Sequence, residues 1–175
     1  MHSKNIGLPC AALALLLAAC GGGDGGYCTG SFQGGDHNVV CTNCSWDRPE
    51  AAIDNDPGSY ASLIIGSGGG AVTLRGYAPE GLSFPANVDA GALMRFPPGN
   101  FVNTSVRFNS YNGNLPVDVL SGGGMAGYGE IPGAGSESYY QMFPLAGFDS
   151  LEAVITLSGN SEPVEVRVYE LCGDR

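Results

Sequence analysis

Val164-Glu165-Val166-Arg167-Val168-Tyr169-Glu170-Leu171 alternates apolar and polar residues until its final step. A period of two places the valines on one face of a strand and Glu165 and Arg167 on the other, the pattern of a half-buried strand. Working back along the chain, seven further short runs carry strand signals: Tyr60–Ile65, Ala71–Arg75, Gly91–Phe96, Val102–Ser110, Leu115–Leu120, Tyr139–Phe143 and Leu151–Leu157. Gly, Pro and Asn stand between them, and Asn112-Gly113-Asn114 reads as a hairpin turn. No stretch keeps an apolar 3.6-residue period over three turns without Gly or Pro. The pattern predicts an all-β fold: a single antiparallel β-sandwich or jelly roll of about eight strands.

The composition sets the outer bounds. The chain has 175 residues, 29 Gly, 11 Pro and a formal net charge of −10. A chain of this length usually makes one domain, and 43% apolar content with modest charge excludes a disordered polymer. Lys4 is the one lysine, so beyond the N-terminal leader six Arg face seventeen Asp and Glu. Such a chain has no basic stripe to neutralise phosphates, which excludes nucleic acid as a partner.

The N-terminus carries the most specific motif. Lys4 precedes an apolar run from Ala11 to Ala19 that meets Cys20. Nine helical residues rise about 14 Å, too little for a hydrocarbon core of about 30 Å, so the run reads as a signal peptide. Leu17-Ala18-Ala19-Cys20 resembles the bacterial lipobox. The resemblance implies cleavage before Cys20, acylation of its thiol and a membrane anchor, and Gly21 after the cysteine implies sorting to the outer membrane. The expected organisation is a signal peptide at 1–19, a lipidated Cys20 with a Gly-rich tether at 20–27, a disulfide-linked segment at 28–43 and the sandwich at 44–175.

Cys28, Cys41, Cys44 and Cys172 remain after Cys20. An even count in an oxidising compartment predicts two disulfides with three connectivities open. The favoured pairing is Cys28–Cys41 with Cys44–Cys172; the latter would close a long loop worth about 4–5 kcal/mol in the chain-entropy model. Cys41-Thr42-Asn43-Cys44 is also a C-x-x-C, but no βαβ pattern surrounds it as a thioredoxin-type site would require.

The stretch Pro49-Glu50-Ala51-Ala52-Ile53-Asp54-Asn55-Asp56-Pro57-Gly58-Ser59-Tyr60-Ala61 resembles the opening loop of galactose-binding-like, discoidin-type jelly rolls, and the runs at 151–155 and 164–171 resemble that fold's closing strands. Asn55 and Ser59 depart from the family pattern, which has Gly and Thr there. The resemblance implies a structural Ca²⁺ held by Asp54, Asp56 and, near the C-terminus, Glu170. Alternating loop carboxylates suit a cation that takes six to eight oxygens; an Asx-turn is the competing reading. Fold likeness does not carry function, since this scaffold hosts lectins, protein-binding modules and spacers.

Other motifs resolve against catalysis. Gly66-Ser67-Gly68-Gly69-Gly70-Ala71 has dinucleotide-loop spacing, but a strand follows it where a helix is required. Phe148-Asp149-Ser150-Leu151 lacks the Gly of a G-D-S-L hydrolase motif, and His37 is the one histidine beyond the leader. The favoured function is a non-catalytic module binding glycan or protein at the cell surface. The alternatives are a structural or accessory lipoprotein of an envelope complex and an envelope hydrolase. Its ligand is expected at the end of the sandwich opposite the tether, where the Asp54–Ser59, Gly66–Gly70 and Ser121–Glu130 loops would converge and Tyr128 would stack. For the anchor, Cys20→Ser should abolish acyl labelling and release the protein from the membrane fraction; surviving label would refute it.

Overall fold

The computed structural model describes residues 30–96, 105–117, 125–128 and 137–175, with backbone alone at 125–128 and 137–138. Two antiparallel six-stranded sheets pack face to face. Sheet A runs β10 (Glu137–Met142), β6 (Ala90–Arg95), β12 (Val164–Gly173), β4 (Ala61–Ile65), β3 (Cys44–Asp47), with β1 (Gly30–Ser31) beside the end of β12. Sheet B runs β2 (His37–Thr42), β5 (Gly69–Tyr77), β11 (Ser150–Ser158), β7 (Ser105–Asn112), β8 (Leu115–Pro116), with β9 (Met125–Tyr128) against the start of β7. The fold is the antiparallel β-sandwich that the alternation predicts.

The inner faces follow the period-two reading. Val72 and Leu74 of β5, Leu151, Ala153, Ile155 and Leu157 of β11, and Val106 and Phe108 of β7 are buried against Leu63 and Ile65 of β4, Met94 of β6, and Val164, Val166 and Val168 of β12. The broken last step of β12 is a β-bulge: its register against β6 shifts between Val168 and Glu170. The extra residue changes the phase of the strand, so Leu171 is buried while Glu170 is only partly so.

Residues 30–42 contribute to both sheets, β1 to sheet A and β2 to sheet B. Gly30 and Ser31 pair with Gly173 and Cys172, and His37–Thr42 pairs with β5 from Gly76 to Ala71. In β2 the half-buried His37, Val39 and Cys41 alternate with exposed Asn38, Val40 and Thr42. The six-residue edge strand is simply weak in sequence. Of the predicted Leu115–Leu120 strand, Leu115–Pro116 pairs with β7 across a two-residue Gly113-Asn114 turn, with Gly113 at φ 59°. Residues 118–120 lie outside the described residues.

The favoured disulfide pairing is corrected: Cys41 bonds Cys44. The reason is the corner they flank. β2 ends at Thr42 on the edge of sheet B and β3 begins at Cys44 on the edge of sheet A, so Asn43 alone carries the chain between sheets. Asn43 takes the left-handed conformation (φ 51°), which Asn tolerates. Its Nδ2 donates to the carbonyls of Ser67 (3.1 Å) and Gly69 (2.6 Å), and its own carbonyl accepts from Gly66 N–H at 2.7 Å. The corner is thereby fastened to the β4–β5 turn, which carries the chain from sheet A to sheet B. So short a closed loop is worth about 2 kcal/mol in the chain-entropy model, less than a long-range bridge. Cys172 is also disulfide-bonded, and its partner lies outside the described residues.

At the opposite end, the core closes on three rings. Phe84 and Phe148 form an isolated two-residue bridge with hydrogen bonds of 2.7 and 3.0 Å, and their rings stack at 5.0 Å. Phe32 packs on Phe84 at 4.8 Å. Gly173 lets β12 approach this cluster, since a Cβ there would lie 2.9 Å from Phe84 Cδ1. Phe148 has no exposed surface, so Phe148→Ala should lower unfolding free energy by about 3–5 kcal/mol in chemical denaturation; a loss under about 1 kcal/mol would show the end cluster collapses freely.

Candidate functional site

Antiparallel register gathers polar and aromatic side chains on the outer face of sheet B. It aligns Tyr77, Ser150 and Tyr111 in one cross-strand row and Arg75, Glu152 and Asn109 in the next. Because Val72 and Leu74 point inward, Arg75 and Tyr77 point out. The Arg75 guanidinium carbon lies 3.8 Å from the Tyr111 ring centroid and 4.7 Å from that of Tyr77, within range for cation–π attraction. Nη2 of Arg75 donates to the Gly113 carbonyl and to Ser150 Oγ, both at 2.7 Å, and Nε donates to Ser150 Oγ at 3.2 Å.

Two carboxylates complete the network. Asp149 Oδ2 accepts from Gly113 N–H (2.7 Å) and Oδ1 from Ser150 Oγ (3.1 Å). Arg75 and Asp149 therefore hold the Gly113 turn through both its backbone groups. Glu152 Oε1 accepts from Asn109 Nδ2 (2.7 Å) and Tyr111 OH (3.0 Å). Burial and that hydrogen bond to Glu152 push the Tyr111 phenol above its ordinary pKa, keeping it protonated.

Beside this cluster opens a cleft of about 370 Å³. Tyr77, Pro79 and Leu82 give it apolar surface, while Glu80, Asn114 and Asp149 give it polar groups. Leu82 is 44% exposed. The sequence reading ended the strand at Arg75 and so missed Tyr77. Following the alternation through Gly76 would have put Arg75 and Tyr77 on one outer face. Asp149 and Ser150 were visible only as a broken hydrolase motif. In the structure Ser150 is buried and bonded to both Arg75 and Asp149.

The predicted loops do not converge. Asp54–Ser59 precedes β4 and Gly66–Gly70 follows it, so about 17 Å of strand separates them. Tyr128 pairs with Ser105, at the Gly66–Gly70 end; only its backbone is described. The cleft opens at the other end, where Gly30 meets Gly173 near the phenylalanine cluster. The cleft lies at this end because β5, in the facing sheet, runs back past β4 and ends where β4 begins. Cys20 and Cys28 lie outside the described residues.

The Asp54 loop shapes itself by Asx-turns. Asp54 Oδ1 accepts from Asp56 N–H (2.9 Å), Asp54 Oδ2 from Ser59 Oγ (2.7 Å), and Asp56 Oδ1 from Gly58 N–H (2.9 Å). Among the described residues no group of three or more His, Cys, Asp and Glu is gathered to hold a metal. Glu170 does face this loop: burial first, then the Asp54 charge, raises its pKa.

No protein-family model matches the sequence, and no curated protein matches it. Solved structures do. A chain from a study of promiscuous specificity in carbohydrate-binding modules of the β-sandwich superfamily is similar at TM-score 0.50 and 10% identity, over 83% of this chain and 61% of that one. This chain thus spans less than two thirds of that chain's length, and the likeness is one of fold. The module CBM32-3 from a family 31 glycoside hydrolase of Clostridium perfringens is similar at TM-score 0.42 and 15% identity, over 78% of this chain and 90% of that one. TmCBM61, solved with β-1,4-galactotriose, gives TM-score 0.42 at 12% identity, over 84% and 92%. The chain has the β-sandwich architecture found in carbohydrate-binding modules.

The Glu170 shift has a definite sign. A carboxyl raised in the folded state holds its proton longer than in the unfolded chain, so stability falls as pH rises from the ordinary Glu value through the raised one. Glu170→Gln should therefore melt higher than the wild type at pH about 7 in EDTA. The gain should vanish below the ordinary Glu value of about 4.3. A gain that persists at low pH would show another cause.

Proposed function

We propose that this chain is a non-catalytic glycan-binding module, held at the bacterial outer membrane by a lipid anchor on Cys20. The cleft at the end of sheet B carries the reading. A pyranose has an apolar C–H face and a hydroxyl rim, and the cleft pairs Tyr77, Pro79 and Leu82 with Glu80, Asn114 and Asp149. Its base is rigid, since Arg75, Ser150 and Asp149 are fixed on paired strands and at the β7–β8 turn. The likeness of fold to carbohydrate-binding modules supports the same role.

A Ca²⁺ held by Asp54, Asp56 and Glu170 belongs to this proposal, because a cation there would relieve the repulsion between the Asp54 and Glu170 carboxylates. It would act by stiffening the loop and not through the ligand. Added Ca²⁺ should raise the melting temperature of the wild type and leave Glu170→Gln unmoved; no rise in the wild type removes the metal from the proposal.

For the cleft, Tyr77→Ala should weaken retention on an immobilised oligosaccharide array by about tenfold while keeping the far-ultraviolet circular dichroism of the parent. Leu82→Ser, at an exposed position, should weaken it in the same direction. Unchanged binding in both variants would move the site elsewhere.

A further inference from the structure

We infer that the cleft selects uncharged saccharides, and that Glu80 and Asp149 are the specificity-determining residues that turn away uronates and other acidic sugars. The inference rests on the glycan reading above. Among the described residues two carboxylates line the cleft and no basic side chain does. Arg75 stands behind it, with Tyr77 and Tyr111 rings against its guanidinium and with Nε and Nη2 given to Ser150 and Gly113. Its charge is thus held by neutral acceptors and ring faces on the sheet.

The remaining hydrogen-bonding capacity points the same way. An ionised carboxylate accepts and cannot donate, with about four lone-pair sites. Asp149 uses two of these, one per oxygen, on Ser150 and Gly113. Glu80 is exposed and makes no hydrogen bond among the described residues. The cleft therefore offers acceptors to a ligand rich in donors. Sugar hydroxyls supply them, whereas the carboxylate of a uronate at neutral pH brings only further acceptors and a like charge. The formal charge of −10 adds repulsion toward acidic polymers, screened beyond about 8 Å at physiological salt. Specificity of this kind comes from a repulsive element as much as from an attractive one.

The test uses one array carrying neutral galacto- and gluco-oligosaccharides beside galacturonate, glucuronate and mannuronate oligomers of equal length, probed with the full chain at low and high salt. Neutral sugars should be retained, with uronates about tenfold weaker or more at low salt. The gap should narrow at high salt and in Glu80→Gln, whose exposed position leaves the fold intact. Uronates binding as tightly as neutral sugars at low salt would overturn the selectivity and leave the glycan reading standing. So would a gap that Glu80→Gln does not narrow. If no saccharide of either kind is retained, the glycan reading falls and the selectivity with it.

Discussion

The phase change in β12 is the constraint on which sheet A depends. Ten residues of one strand hydrogen-bond to β4 over their first half, to β6 over their second half and to β1 at their tip. Val164, Val166 and Val168 face the core, so an unbroken period of two would have carried Glu170 inward and Leu171 out. Removing an unpaired carboxylate from water costs several kcal/mol. The bulge at Tyr169 avoids that outcome. Glu170 turns toward the Asp54 loop, Leu171 enters the core, and the Tyr169 ring packs on Tyr60 at 5.5 Å. Arg167 lies over the same Tyr60 ring at 4.5 Å and pairs with Glu165 at 3.0 Å, on a sheet face where such pairs contribute little individually.

Sheet B sets the cleft by register. Tyr77, Ser150 and Tyr111 come from three strands and meet in one row only because β5, β11 and β7 are paired as they are. A slip of one residue would send all of a strand's outward side chains to the core face. Leu74 and Gly76, Leu151 and Ala153, and Phe108 and Ser110 are buried on the inner side, which penalises any such slip. The precision of the Arg75 cluster is thus inherited from the packing behind it.

Strand content was legible where a strand alternates over many residues, as in β11 and β12. It was much less legible in β2 and β3. There the edge position leaves Val40 and Trp46 about half exposed, and apolar alternation loses its meaning. The disulfide was misread because loop-length entropy favours distant partners, whereas the tight corner at Asn43 places Cys41 and Cys44 together. The site was illegible for a geometric reason. Asp54–Ser59 and Gly66–Gly70 are close in sequence, yet one strand length puts them at opposite ends; Tyr77, Gly113 and Asp149 are far apart in sequence and share one cleft. Turn glycines announce that the chain reverses, but not which reversals are neighbours.

The strand order also fixes a sequence of events. β11 lies between β5 and β7 in the middle of sheet B, and β12 lies between β6 and β4 in the middle of sheet A. These follow the others in chain order, so β1, β4, β5, β6 and β7 each wait for a partner not yet made. Neither sheet can close around its apolar face while residues 150–173 are missing, and β2–β5 or β7–β8 alone bury too little to persist. Topologies ruled by such distant pairings assemble slowly. In a growing chain with this arrangement both sheets lack their middle strand until residues 150–173 arrive, and they then become complete one directly after the other.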